Sequence, residues 1–214
     1  MTSPTQTEPP FVPLRHRGWA TKRTPWWVFA ALVVLVVAGV LVSLSVKPSQ
    51  SQRASAMAGY LKDVQGGIGS CAAGLHDAEN AYGQLISGKV ALSKNAESVF
   101  TFGESNCTVE GNEALNDFVN YQVDEQLASY NLDTADNDLI DWAFDSEGAQ
   151  TDMLAVLRAT TPAARASAQV TLNAALLKLD DQRAVIDKIW TTAKTATGAS
   201  EPLPNLPTWV APTT

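Results

Sequence analysis

The chain has 214 residues, 45% of them hydrophobic, with 15 basic and 22 acidic side chains for a net charge of −7. The imbalance is local: residues 1–25 hold Arg15, Arg17, Lys22 and Arg23 against Glu8, whereas 11 basic and 21 acidic residues follow position 46. An acidic main region excludes nucleic acid as a partner, because phosphate contacts need clustered Lys and Arg.

Residues 1–25 are polar and proline-bearing and read as a disordered, basic cytoplasmic N-terminus. Trp26 to Val46, WWVFAALVVLVVAGVLVSLSV, carries no charge over 21 residues. A helix needs roughly 20 such residues to cross a bilayer, and a buried soluble helix keeps a polar face. A cleaved signal peptide has a shorter apolar region. The small-residue site Ala54-Ser55-Ala56 also lies beyond Lys47 and Pro48. The span is therefore expected to be a single-pass signal anchor. Basic residues before it set the N-terminus in the cytoplasm and the C-terminal domain outside. Arg15, Arg17, Trp19, Lys22, Arg23, Trp26 and Trp27 are the expected membrane-interface residues, with the lipid bilayer as their partner.

Residues 49–198 read as an all-α, antiparallel bundle of four to five helices, since few runs combine β-branched residues with strict alternation. In the first helix Met57, Leu61, Val64, Ile68, Cys71, Leu75, Ala78, Tyr82 and Leu85 alternate steps of four and three, the seam of helices packed at a shallow angle. Gly88 ends it. A second helix is expected over about 90–104. A third, over about 112–131, carries a stripe at Leu115, Val119, Val123, Leu127 and Tyr130. A fourth, over about 136–159, carries Ile140, Trp142, Phe144, Met153, Leu154 and Leu157, with Ser146-Glu147-Gly148 as an interruption. The last starts at Thr161-Pro162, follows Leu172, Leu176, Leu179, Ile186, Trp190 and Ala193, and stops at Gly198. Residues 199–214 are proline-rich and read as a disordered, extended tail. Their Leu-Pro pairs lack the full LPxTG of a sortase signal.

The stretch GGIGSCAAG, residues 66–74, spells G-x-G-x-x-A across Gly67, Gly69 and Ala72. A dinucleotide fingerprint needs a strand before it and a helix starting within it. Here the heptad register runs straight through Ile68, Cys71 and Leu75, so the match is a coincidence. Gly67 and Gly74, seven apart beside the seam, are expected instead to let a neighbouring helix approach closely.

Cys71 and Cys107 are the only cysteines. They lie at similar distances on either side of Gly88, facing one another across a helical hairpin. A disulfide is expected between them, as befits an extracytoplasmic domain. They make no metal site with His16 and His76, and Cys71 and His76 point in different directions on one helix.

Between Lys94 and Arg158 there is no basic residue, and residues 104–152 carry thirteen acids. The densest part, residues 131–148, offers Asp133, Asp136, Asp138, Asp141, Asp145 and Glu147 as weak candidates for a divalent cation. An EF-hand register fails, because Asp141 falls where glycine is required. The competing reading is a solvated acidic helix face with Asp133 or Asp136 as the cap. A glycosidase reading of Asp141 and Asp145 beside Trp142 and Phe144 lacks a carbohydrate cleft. No nucleophile–base–orienter set is visible, and no cofactor is implied. The leading expectation is thus a non-enzymatic, membrane-anchored accessory protein of a bacterial-type cell envelope that binds a protein partner. A ligand- or cation-sensing ectodomain using residues 131–148 is the alternative.

Overall fold

The computed structural model describes residues 30–37 and 47–208. The chain divides into two compact units, Met1–Lys47 and Pro48–Thr214. In the first, residues 30–37 are helical and almost wholly exposed. The rest of the expected span, residues 26–29 and 38–46, lies outside the described residues. So do Arg15, Arg17, Trp19, Lys22, Arg23, Trp26 and Trp27. Among the described residues no helix is long and apolar enough to cross a membrane.

The second unit is all-helical among its described residues. Helix α1 runs over Gln50–Ile86. It opens on a capping box: the Gln52 amide donates to the Ser49 hydroxyl at 3.2 Å, and the Ser49 amide donates to the Gln52 side chain at 2.8 Å. Ala54-Ser55-Ala56 sits inside its early turns. Every seam residue from Met57 to Tyr82 is buried, and Leu85 is half-buried. Gly88 follows the helix with φ 72°, a left-handed conformation that lets the chain reverse.

Helix α2, Lys94–Asn106, is capped by Ser93, whose hydroxyl accepts from the Ala96 amide at 3.2 Å. The expected third helix over 112–131 is broken. Helix α3 covers only Glu113–Val119, and a separate 3-10 helix covers Glu125–Tyr130. Local polar side chains account for the break. Asn120 turns its amide back to the Asn116 carbonyl at 2.9 Å. Asp124 accepts from the Gln126 amide at 2.8 Å and starts a new helix. Leu115 and Leu127 keep their places in the core, Val119 is exposed, and Phe118, outside the expected stripe, is buried.

Helix α4, Leu132–Arg158, is continuous where an interruption was expected. The Ser146 hydroxyl donates to the Trp142 carbonyl at 2.8 Å, so its polar group is satisfied within the helix. The start also differs from expectation. Asn131, at φ 57°, ends the 3-10 helix and begins α4 without a side-chain cap, so neither Asp133 nor Asp136 fills that role. The buried face includes Leu139, Trp142, Ser146, Ala149, Gln150 and Met153, which leaves Phe144 exposed.

Helix α5, Pro162–Thr197, matches its punctuation: Thr161 accepts from the Ala164 amide at 3.1 Å, and Gly198 closes the helix at φ 75°. Its length and that of α1 both correspond to roughly 55 Å. Contacts at the two ends fix the directions. Tyr60 meets Asp136 and Trp190 at one end, while Tyr82 meets Gln169 and Glu97 meets Arg158 at the other. The arrangement is up-down-up-down: α1 up, α2, α3 and the 3-10 helix down in instalments, α4 up and α5 down. Beyond Gly198 the expected disorder is not found in residues 199–208. They follow an irregular extended path, with Ala199, Pro204 and Leu206 buried against the helices.

Candidate functional site

Helices α1, α2 and α3 meet in a closely packed joint. Cys71 in α1 and Cys107 at the end of α2 form a disulfide with Cα atoms 4.6 Å apart. A Cβ on Gly67 would sit 2.6 Å from the Phe118 Cβ, and one on Gly74 would sit 2.9 Å from the Gly103 Cα. The α1–α2 crossing is thus backbone against backbone, which only glycine permits. A Cβ on Gly103 would in turn collide with the Gln150 carboxamide from α4. Gln150 donates to the Ser146 carbonyl at 3.3 Å. Asn112 knits the remaining polar groups: its amide donates to the Asn106 carbonyl at 2.8 Å and to the Ser70 hydroxyl at 2.9 Å. Its oxygen accepts from the Leu115 amide at 3.2 Å and so caps α3. The GGIGSCAAG stretch lies wholly within α1, with no strand before it.

The acidic candidates do not converge. Asp133 and Asp141 are exposed, and Asp138 and Glu147 are half-buried. Asp145 is committed to α5, pairing with Lys178 at 2.8 Å and accepting from Gln182 at 2.7 Å. Asp136 accepts from the Tyr60 hydroxyl at 2.6 Å. Among the described residues, no three His, Cys, Asp or Glu side chains come together as a metal would require. A regular helix explains this: Asp138, Asp141 and Asp145 share one face at i, i+3 and i+7 but are strung over roughly 10 Å of its axis, whereas a cation loop folds its ligands inward onto one point.

Two carboxyls are instead held inside the bundle. Tyr60, wholly buried, donates to Asp136 and accepts from the Trp190 indole N–H at 3.0 Å, tying α1, α4 and α5 at one end. Burial pushes the Asp136 carboxyl up to about 6, against the Tyr60 hydrogen bond that favours its charged form; Asp133 adds to the rise. Burial and the Asp136 charge drive the Tyr60 phenol upward as well. Glu79 lies between α1 and α5, where burial and the Asp180 carboxylate raise it to about 7. His76 stands 4.0 Å from Glu79 with its side chain mostly in solvent. Cys71, locked in its disulfide, is no nucleophile for that imidazole.

The surface feature of note is the outer face of α5. Residues 163–177 carry one charge, Arg165. Val170 and Leu177 are 70% and 67% exposed, and Val185 follows at 47%. Val170, Ala174, Leu177 and Ala184 keep the four-three spacing of a helix seam, directed away from the core. Asp181 interrupts the row. An open cleft of about 610 Å³ borders the start of this face, lined by Ile86, residues 159–162, Arg165 and Gln169.

Compared with known proteins, the chain matches no family model, no curated protein and no solved structure. Sequence reasoning missed the Tyr60–Asp136–Trp190 node and the buried Glu79, because each depends on which residue a distant helix brings opposite. A signal for Glu79 was present: it directly follows the seam residue Ala78, on the flank of a helix buried for most of its length.

Proposed function

We propose that the chain is a membrane-anchored, extracytoplasmic helical module of a bacterial-type cell envelope, non-enzymatic, that binds a protein partner through the outer face of α5. The observation that carries this reading is that face: a row of apolar side chains at helix-seam spacing, on a surface with one charge in fifteen residues. Such a face suits a partner helix or groove that reads positions i, i+4 and i+7. The anchor rests on the uncharged run 26–46 and its flanking basic residues. The disulfide supports a domain outside the cytoplasm, since reducing compartments keep thiols free.

Two measurements test the two halves. A photo-crosslinking residue placed at Leu177 in the full-length, membrane-inserted chain should yield one discrete adduct with another protein, and the same residue at exposed Asp133 should not. Equal or absent adducts at the two positions would defeat the partner reading. For location, thiol labelling of intact cells should require reductant; complete labelling without it would rule out the extracytoplasmic assignment.

A further inference from the structure

The segment after α5 is a strap. From Gly198 the chain reverses and runs back along α1: Glu201 and Pro202 lie beside Leu61 and Lys62, and Asn205 and Pro207 lie beside Gly69, Ala73 and His76. Its other edge faces Arg183, Asp187 and Thr191 of α5. The strap therefore covers the seam between the first and last helices. Residues 202, 205 and 208 are exposed while Pro204 and Leu206 are buried and Leu203 and Pro207 half-buried. A repeat of three is the period of a polyproline II helix, and the sequence here is Leu-Pro-Asn-Leu-Pro.

Among the described residues no hydrogen bond or ion pair ties 199–208 to the helices. Clefts of about 160, 280 and 320 Å³ line its course. The cleft beside Asn205 and Pro207 is lined on α1 by half-buried Gly69, buried Ala72 and exposed Ala73, together with the Gln65 and His76 side chains. Residues 199–208 can lift without breaking a polar contact among the described residues, and they expose a groove already shaped for an extended proline-containing chain.

We propose that the α1–α5 groove is a recognition site for an extended Leu-Pro-x-Leu-Pro segment of a protein partner, occupied in cis by residues 203–207. This site is separate from the outer face of α5 and does not depend on that reading. Proline-bearing segments bind cheaply in entropy because the polyproline II form is preformed. The cis copy sits on a short tether, so a partner's segment competes against an effective concentration on the order of millimolar. Binding in trans is thereby masked until the strap lifts.

The test uses the full-length chain in detergent and a fluorescent peptide of residues 201–208. Anisotropy should show the peptide binding the strap-released variant Leu203→Asp/Leu206→Asp at least about tenfold more tightly than the unaltered chain. A peptide carrying Leu206→Asp should bind neither. Ala73→Trp, added at an exposed position of α1, should abolish binding to the released variant. Should the double substitution unfold the chain, a protease site placed at exposed residues 200–201 and cleaved after folding releases the strap with every helix intact. Absence of peptide binding to a released, folded chain overturns the proposal. So does concentration-dependent dimerisation of the unaltered chain without peptide uptake, which would assign the groove to exchange of tails between copies.

Discussion

One short run of small residues in α1 serves two contacts of opposite character. On one side Gly67, Cys71 and Gly74 meet α2 and α3 so closely that Phe118 and Gly103 occupy the space a side chain would need, and a disulfide fixes the result. On the other side Gly69, Ala72 and Ala73 line an open cleft of about 280 Å³ beside Asn205 and Pro207 of the strap. A Cβ on Gly69 would meet no strap atom within 4 Å, and among the described residues no hydrogen bond ties 199–208 to the helices. The comparison teaches that small residues permit close approach but do not enforce it. Whether proximity becomes a permanent joint depends on what the neighbouring element brings: here a glycine backbone and a thiol on one side, and a proline segment on the other.

The largest effect should come from the staple. Replacing both Cys71 and Cys107 by serine should cost about 3–4 kcal/mol and lower Tm by roughly 10 °C, read by calorimetry under oxidising conditions. An unchanged Tm would mean that the packing alone holds the joint. Gly67→Leu should come next. The new side chain must displace Phe118, an overpacking loss of about 2 kcal/mol by denaturant titration. If it is tolerated, the two faces of α1 are more alike than their geometry says.

Glu79→Gln tests the strap-side seam between α1 and α5. The folded chain raises this carboxyl from its ordinary 4.5 to about 7, chiefly by burial and then by Asp180. The fold therefore favours the protonated form, and its contribution is complete below the unfolded pKa and lost as pH rises through about 7. The neutral glutamine should stabilise the chain by about 1 kcal/mol near pH 8 and leave it unchanged near pH 4.5. A stabilisation independent of pH would point to packing instead of charge. The smallest effect belongs to Gly66→Ala. No heavy atom stands within 4 Å of the added Cβ, so the gain is helix propensity alone, about 0.5–1 kcal/mol. Adjacent glycines would then respond with opposite signs.

The sequence made some of this legible and hid the rest for physical reasons. The α1 seam, the Thr161-Pro162 start, the Gly198 stop and the Cys71–Cys107 pairing all rest on local spacing, and each stands in the structure. The third helix was misread because Leu115 and Leu127 keep helical spacing across a chain that Asn120 and Asp124 interrupt. In α4 Trp142, Met153 and Leu154 are buried as expected and Ile140 and Leu157 pack against the core, but Phe144 is exposed and the buried face also takes in Ser146 and Gln150, which donate to the Trp142 and Ser146 carbonyls of the same helix. The cation candidates looked dense only along the chain; on a helix they are strung along the axis instead of folding inward onto one point. The strap was invisible because its Leu-Pro pairs show their burial only once α1 and α5 lie side by side.

The reversal at Gly198 has a mechanical consequence. The start of α1 and the end of α5 meet at one pole of the bundle, where a Cβ on Gly198 would stand 3.5 Å from the Gln50 side chain. The strap then carries the chain away from that pole, leaving it beside the middle of α1. A pull on residue 208 toward the opposite pole loads the strap lengthwise against α1, in shear. A pull back toward the pole peels it off residue by residue. The second route needs far less force, so the direction of tension selects whether the groove stays covered or opens.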